Sequence, residues 1–536
     1  MFMKISQIRI PINQDNNFDI SKLLAELIKI PSKKIKSLQI ARKSLDARQK
    51  ELFFVYTLIF EIDLTAYEGE SLLRNNPNMQ IYQPGPTIDW DKAHHSPPKI
   101  NFRPVITGAG PAGLFAGLRL AAAGFKPIII DRGDGLQKRI DKINKFWNEG
   151  DLDPESNIQF GMGGAGTFSD GKLTTRIKDP AIAAILRVMV KLGAPPEIKY
   201  WQYPHIGTDL LRKVIGGLQQ LIIDYGGEFS FRKSLTDITL VDGKVQGIVV
   251  NGGEEIETGM LLLATGNSAR DVYRMLAEKR LQLCAKPFAL GLRIEHPQEL
   301  INKAQYRRWA GDHRLGAAEY HLTYKHRETG RGVYSFCMCP GGFVIGAASE
   351  PGRVVTNGMS YHRRDSGIAN SAIIVTVNGR DYGNHSPLAG VEYQERLETE
   401  AFQLGGGHFY APVQRVEDFL KREPTLDFKR LFPSYRPGTT GADLNAILPE
   451  EIGQAIAAAI KYFSKKIKEF DWPDAVLTGV ETRTSAPVRI VRDETRQAMG
   501  YRGLYPIGEG AGYAGGIISS ALDGWKTAEV IISQEV

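Results

Sequence analysis

Val105-Ile106-Thr107-Gly108-Ala109-Gly110-Pro111-Ala112-Gly113 decides the fold, and an apolar, helix-like run that ends near Gly124 follows it. A short apolar strand that enters a glycine turn and then a helix brings unpaired N–H groups and a partial positive charge to one point. Glycines at G-x-G-x-x-G spacing permit the tight turn and let a pyrophosphate approach the backbone. Pro111 suits the first helical turn, where its missing N–H costs little. A second strand, Pro127-Ile128-Ile129-Ile130, delivers Asp131, a carboxylate placed to accept hydrogen bonds from a ribose. The order strand, glycine turn, helix, strand, acid predicts a dinucleotide-binding unit, although the glycine spacing alone also fits an ordinary loop.

Downstream, the pattern predicts a helix over Asp209–Tyr225, a strand at Glu228–Phe231, and antiparallel strands at Leu235–Leu240, Val245–Val250 and Glu255–Glu257. Asp242-Gly243 and Gly252-Gly253 are the two-residue turns between those last strands. Met260–Gly266 reads as a buried parallel strand that runs into a turn. The same signal returns late, with the strand Leu504–Ile507, the turn Gly508-Glu509-Gly510-Ala511-Gly512 and a helix over Ile517–Ile532. Upstream, a strand at Ile8–Ile10, a helix at Ile20–Ile28 and a long strand at Glu51–Leu64 form a small α+β unit, and the proline-rich stretch Gln83–Arg103 is a connector. The expected organisation is an N-terminal α+β domain (1–95), a binding domain in two parts (100–280 and 476–536) and a substrate or cap domain (281–475) inserted between them.

A chain of 536 residues has material for two or three cores. The formal charge of +7 does not by itself indicate nucleic-acid binding in a chain this long. Lys29, Lys33, Lys34, Lys36, Arg42, Lys43, Arg48 and Lys50 are nevertheless concentrated where Asp46 is the only acid. We read this segment as a solvated face that also receives an anionic cofactor's field. RNA or another polyanion is the alternative partner, without an aromatic stacking pattern to accompany it. The apolar runs Phe53–Phe60 and Met260–Ala264 are too short to cross a bilayer, and the start of the chain lacks a signal core, so no membrane partner is expected. Three cysteines make no disulfide framework, which places the chain in a reducing cytoplasm.

The glycine turn, Asp131, the meander, Ala264-Thr265-Gly266 and the late Gly508–Gly512 turn together resemble the glutathione-reductase-like class of FAD-binding proteins. The resemblance implies an α/β fold: a discontinuous FAD/NAD(P)-binding, Rossmann-like ββα three-layer domain with an inserted α+β substrate domain and a small N-terminal α+β domain. It implies FAD as cofactor, contacted by Gly108, Gly110, Pro111, Ala112, Gly113, Asp131, Arg132, Gly163, Gly164, Ala165, Gly166, Lys172, Leu235, Ala264, Thr265, Gly266, Gly508, Glu509, Gly512, Gly516 and Ile517. In that class the late acid, here Glu509, contacts the ribityl or pyrophosphate part. The following helix, entered through Gly515, Gly516 and Ile517, points its N-terminus at the flavin N1/C2=O edge. The class often has Glu where this chain has Asp131 and Asp where it has Glu509, so side-chain reach differs by one methylene at each place.

Further stretches narrow the likeness: Gly163–Leu173, Lys286-Pro287-Phe288 with Gly291–Pro297, Ser335–Gly342, Asn357–Ser360, Asn370–Ala372, and the N-terminal Ala41–Arg48 with Phe54-Val55-Tyr56. These resemble a bacterial group known as FAD-dependent or NAD(FAD)-utilising dehydrogenases, which carry an FAD-dependent-protein C-terminal domain. The group implies an FAD-dependent oxidoreductase that moves hydride or electrons between its flavin and a small-molecule substrate. No second glycine-rich strand-turn-helix appears in the substrate domain, so NAD(P)H, if used, is a transient donor at the flavin face. The alternative is an FAD-binding protein with a non-catalytic or RNA-associated role, recruited through the basic N-terminal segment.

No catalytic residue and no metal site is assigned. The loop Gly163–Leu173 is either a backbone cradle for the cofactor, with Lys172 as a cation, or a surface turn. Cys337 and Cys339 read as structural thiols, because a disulfide across one residue is strained. His296 reads as structural more readily than as an acid or base, and Arg483 is either a flavin or carboxylate contact or a salt-bridge partner.

Overall fold

The computed structural model describes residues 1–15, 19–85, 88 and 100–535 and is mixed α/β. Val105–Thr107 is the middle strand of a five-stranded sheet ordered Leu504–Pro506, Leu261–Leu263, Val105–Thr107, Ile128–Asp131, Glu228–Phe231. Every neighbouring pair is parallel. In short strands buried on both faces, alternate residues serve opposite layers. Val105, Ile130, Leu261, Leu263 and Leu504 pack with the antiparallel strands Leu235–Val241, Lys244–Val250 and Glu254–Glu257. Ile106, Ile129, Leu262 and Tyr505 pack with the helices Pro111–Ala122, Pro180–Lys191, Thr208–Asp224 and Ile517–Glu535. The sheet therefore lies between a β layer and a helical layer, and its parallel strands all deliver their carboxyl ends to one edge.

Phe288–Pro297 lies at the centre of a seven-stranded sheet, paired along its whole length with Ile368–Val377 and on its other side with Val476–Glu481. This sheet takes in a strand beyond residue 475, and the chain re-enters the parallel sheet only at Leu504. The outgoing Leu283–Ala285 and the returning Val488–Ile490 pair antiparallel, so the two crossings run side by side. The helix Glu450–Phe463 buries Ile452, Ile456, Ala459, Ile460 and Phe463, a stripe at helical spacing, against this sheet's core.

The N-terminal residues form an antiparallel sheet ordered Ile35–Asp46, Phe53–Ile62, Phe2–Pro11, Met79–Ile81, with helices Ile20–Ile28 and Ala66–Asn75. Ile35–Asp46 and the short Met79–Ile81 are strands that sequence reading missed, and the first is the instructive one. It is an edge strand, and the charged side chains that suit an edge hide its alternation. Buried side chains of this sheet and of the seven-stranded sheet form one continuous cluster. Lys43 also exchanges backbone hydrogen bonds with Tyr200 and Gln202. Most of the expected connector, including Pro86, Pro97 and Pro98, lies outside the described residues.

Candidate functional site

Three glycine turns meet at the carboxyl edge of the parallel sheet, and their glycines have two different jobs. Gly108 has φ 108°, and a Cβ there would stand 2.3 Å from the Ala264 carbonyl oxygen. A Cβ on Gly113 would stand 1.9 Å from the Gly108 oxygen, and one on Gly508 2.7 Å from Ala112 Cβ. Gly108 and Gly113 let backbone pack on backbone, and Gly508 lets backbone pack on the Ala112 methyl. Gly110 is different: the nearest atom to its Cβ position is Gly164 Cα at 3.7 Å. Nothing lies within 4 Å of that position at Gly266 or Gly515, and only Ser519 Oγ, at 3.9 Å, approaches it at Gly516. The second set faces open space.

That space is a cavity of about 930 Å³. Gly108, Gly110, Pro111, Ala112, Asp131, Arg132 and Leu235 line it, as do Gly164, Ala165, Gly166 and Lys172 from the glycine loop. Ala264, Thr265, Gly266, Glu509, Gly516 and Ile517 line it from the other strand ends. Gly113, Gly163, Gly508 and Gly512 stand behind this wall; a Cβ on Gly163 would meet Thr167 Oγ1 at 2.2 Å and one on Gly512 the Val488 oxygen at 2.8 Å.

Two buried aspartates hold the turns. The Asp131 carboxylate accepts the Ala109 and Gly133 N–H groups, each at 2.8 Å, so it clamps the first turn. Asp523, on the last helix, accepts the Gly508 N–H at 2.8 Å and pairs with Arg492 and Arg496. An isolated Asp within a helix carries no motif, and sequence reading passed over it. The glycine loop is fastened to the first turn by a hydrogen bond from Gly163 N–H to the Ala109 oxygen, 2.8 Å. Arg139, fully buried, steadies the same loop by donating to the carbonyls of Asn157, Ile158 and Met162.

Charges near the loop are already compensated. Lys172 Nζ is 2.9 Å from Asp170 and 3.5 Å from Glu319, and Asp170 also takes Arg364 at 2.6 Å. Arg132 donates to Ser234 Oγ at 2.7 Å, pairs with Glu155 at 3.3 Å and lies over the Phe160 ring. Glu509 accepts from Asn267 Nδ2 at 3.0 Å; burial pushes its carboxyl up to about 7, against the opposing pull of Lys286 and Asn267. It can therefore hold or release a proton near neutrality.

The opposite wall comes from the inserted sheet and the N-terminal unit. Ser335, Phe336, Cys337 and Met338 line it beside Asn357, Glu481 and Arg483. Arg483 donates to Glu398 at 2.8 Å, Glu350 at 2.9 Å and Ser349 at 2.6 Å, so it borders the cavity from within a salt-bridge network. Glu398 also takes Arg270 at 2.8 and 2.9 Å and Thr482 at 2.7 Å, and the two guanidinium groups hold its fully buried carboxyl far below the usual range despite burial. His296 is not in this wall: it is buried, its Nε2 lies 2.7 Å from the Phe470 oxygen, and burial pulls it down to about 4. From the basic N-terminal segment Arg42 reaches the cavity, whereas Lys34, Lys36, Lys43 and Arg48 pair with Glu68, Asp63, Asp15 and Asp46. Among the described residues, no group of three or more His, Cys, Asp or Glu is placed to hold a metal, and no helix is long and apolar enough to cross a membrane.

Residues 287–484 match the family described as FAD-dependent protein, C-terminal domain-like, and residues 2–61 match a domain of unknown function, DUF8436. A protein of Clostridium beijerinckii, described as an uncharacterized protein, is 46% identical over 535 residues, covering 100% of this chain and 99% of that one. This chain belongs to that protein's family. Among solved structures, glycine oxidase from Bacillus cereus aligns at 10% identity and TM-score 0.37, covering 81% of this chain and 96% of that one. L-proline dehydrogenase from P. horikoshii aligns at 13% identity and TM-score 0.35, covering 82% and 95%.

Proposed function

We propose that the chain binds FAD along the carboxyl edge of the parallel sheet and acts as an FAD-dependent oxidoreductase on a small molecule. The observation that carries this reading is the open space beside Gly110, Gly266, Gly515 and Gly516, in a cavity that two helix N-termini, at Pro111 and Ile517, both border. Side-chain-free backbone next to helix N-termini suits a phosphate and, at the second helix, a ring that gains negative charge on reduction. The match of residues 287–484 to an FAD-dependent protein domain supports the same reading.

On this reading the first helix N-terminus receives the pyrophosphate, Asp131 the ribose, and Gly515–Ile517 the flavin ring. FAD, when bound, supplies the hydride or electron transfer. The chain orients it, and Glu509 holds a proton whose affinity burial has tuned to neutral pH. A nicotinamide donor would reach the flavin transiently.

Purified protein is expected to be yellow and to release FAD on denaturation; a colourless protein that cannot be reconstituted sinks the proposal. Gly110→Val is expected to lower FAD retention at least about tenfold while leaving the Tm of the FAD-free protein unchanged, because its side chain enters the cavity and not the packed turn. Stoichiometric FAD in that variant would remove the pyrophosphate from this position. Anaerobic bleaching of the flavin by NADH or NADPH tests the donor.

A further inference from the structure

Cys337 and Cys339 have no part in the glycine cradle, yet one of them stands in the cavity wall. Both lie in the strand Gly332–Cys339, where regular pleating would put them on one face, one residue apart. The pairing with Ile368–Val377 shifts register between Phe336 and Cys339, and Cys337 has φ 42°, in the left-handed region. Cys337 lines the cavity, and Cys339 is fully buried. The Cys339 thiol donates to the Cys337 carbonyl oxygen at 3.3 Å, which holds its sulfur beside the Cys337 residue.

Arg293 holds this corner from behind. It is fully buried, paired with Glu481 at 2.7 Å, and donates to the Cys337 carbonyl at 3.1 Å with Cys339 Sγ 3.9 Å away. The neighbouring Cys339 and, less strongly, the guanidinium lower the Cys337 thiol, while the neighbouring sulfur and burial push Cys339 well up. A thiol of lowered affinity for its proton at the cavity wall, with a protonated one buried two residues along the strand and hydrogen-bonded to its carbonyl, is the arrangement of an attacking and a resolving sulfur.

We infer that Cys337 and Cys339 form a redox pair that closes and opens a disulfide while exchanging two electrons with the flavin in the cavity. The inference rests on the FAD reading above for the identity of the acceptor. In the oxidising direction the Cys337 thiolate and the Cys339 thiol form one S–S bond, the Cys339 S–H bond breaks, and one proton and two electrons pass to oxidised flavin. The reverse step returns them. A ring closed across a single residue is strained; that argues against a permanent structural link and favours an easily reduced, reversible one.

The test uses the full-length wild-type protein. After reduction, the denatured protein should titrate three thiols, and after diamide treatment one, with peptide mapping that links Cys337 to Cys339 and leaves the exposed Cys284 free. Three persistent thiols, or linkage through Cys284 alone, overturn the inference whether or not flavin is present. In the flavin-loaded protein under anaerobic conditions, loss of two thiols should accompany reduction of one flavin, and Cys337→Ser and Cys339→Ser should each abolish this coupling while retaining flavin. Disulfide formation with the flavin spectrum unmoved also overturns it. A protein that never holds FAD defeats the function proposed above, and the thiol count separates that failure from this one.

Discussion

The wall supplied by the parallel sheet and the wall supplied by the seven-stranded sheet enclose the same 930 Å³ cavity, but different forces hold them. The first is nearly all backbone: glycines stacked on carbonyls, with Asp131 and Asp523 as clamps. The second is side chains, among them the buried pairs Arg293–Glu481 and Arg270–Glu398–Arg483. Backbone packing tolerates no added atom at its tight points, whereas a buried ion network tolerates no missing partner. The difference predicts that the first wall fails when an atom is added and the second when a partner is removed.

The largest expected effect lies in the second wall. Glu398→Ala leaves two buried guanidinium groups with only the less buried Glu350 carboxylate between them and should cost about 3–5 kcal/mol in urea unfolding. Gly108→Ala in the first wall should cost less, about 2–3 kcal/mol, because φ 108° is unfavourable for a side chain and its Cβ would press on Ala264. A larger loss at Gly108 than at Glu398 would break the proposed contrast.

The smallest effect is a pH dependence at Glu509, where the walls meet. Its folded value is about 7 against an ordinary 4.5, so between these the folded state keeps a proton that the unfolded state has released. Stability of the FAD-free protein should therefore fall as pH rises from about 4.5 to 7 and level off above. Glu509→Gln should flatten that slope in Tm measured against pH; an unchanged slope assigns it to another group.

Much of the first wall was legible because its signals are local. The step from Thr107 to Gly113 is a strand end, a turn and a helix start within a few residues, and the turn at Gly508 repeats the signal. Asp523 escaped because a helical Asp looks the same whether it faces solvent or clamps a turn. Ile35–Asp46 escaped because lysines and arginines masked an edge strand, and with it the reach of Arg42 into the cavity. Lys172 looked like a free cation although its nearer partner, Asp170, stands two residues before it; only the second partner, Glu319, is remote in sequence.

The sequence by itself determined where backbone must bend and where it must stay bare, since φ and Cβ sterics act between neighbours in the chain. Only the tertiary structure decided which charges meet. Glu398 with Arg270 and Arg483, Asp170 with Arg364, and Arg293 beside the Cys337–Cys339 corner are joined across long separations. Their protonation follows from burial and from partners that no local stretch of the chain contains.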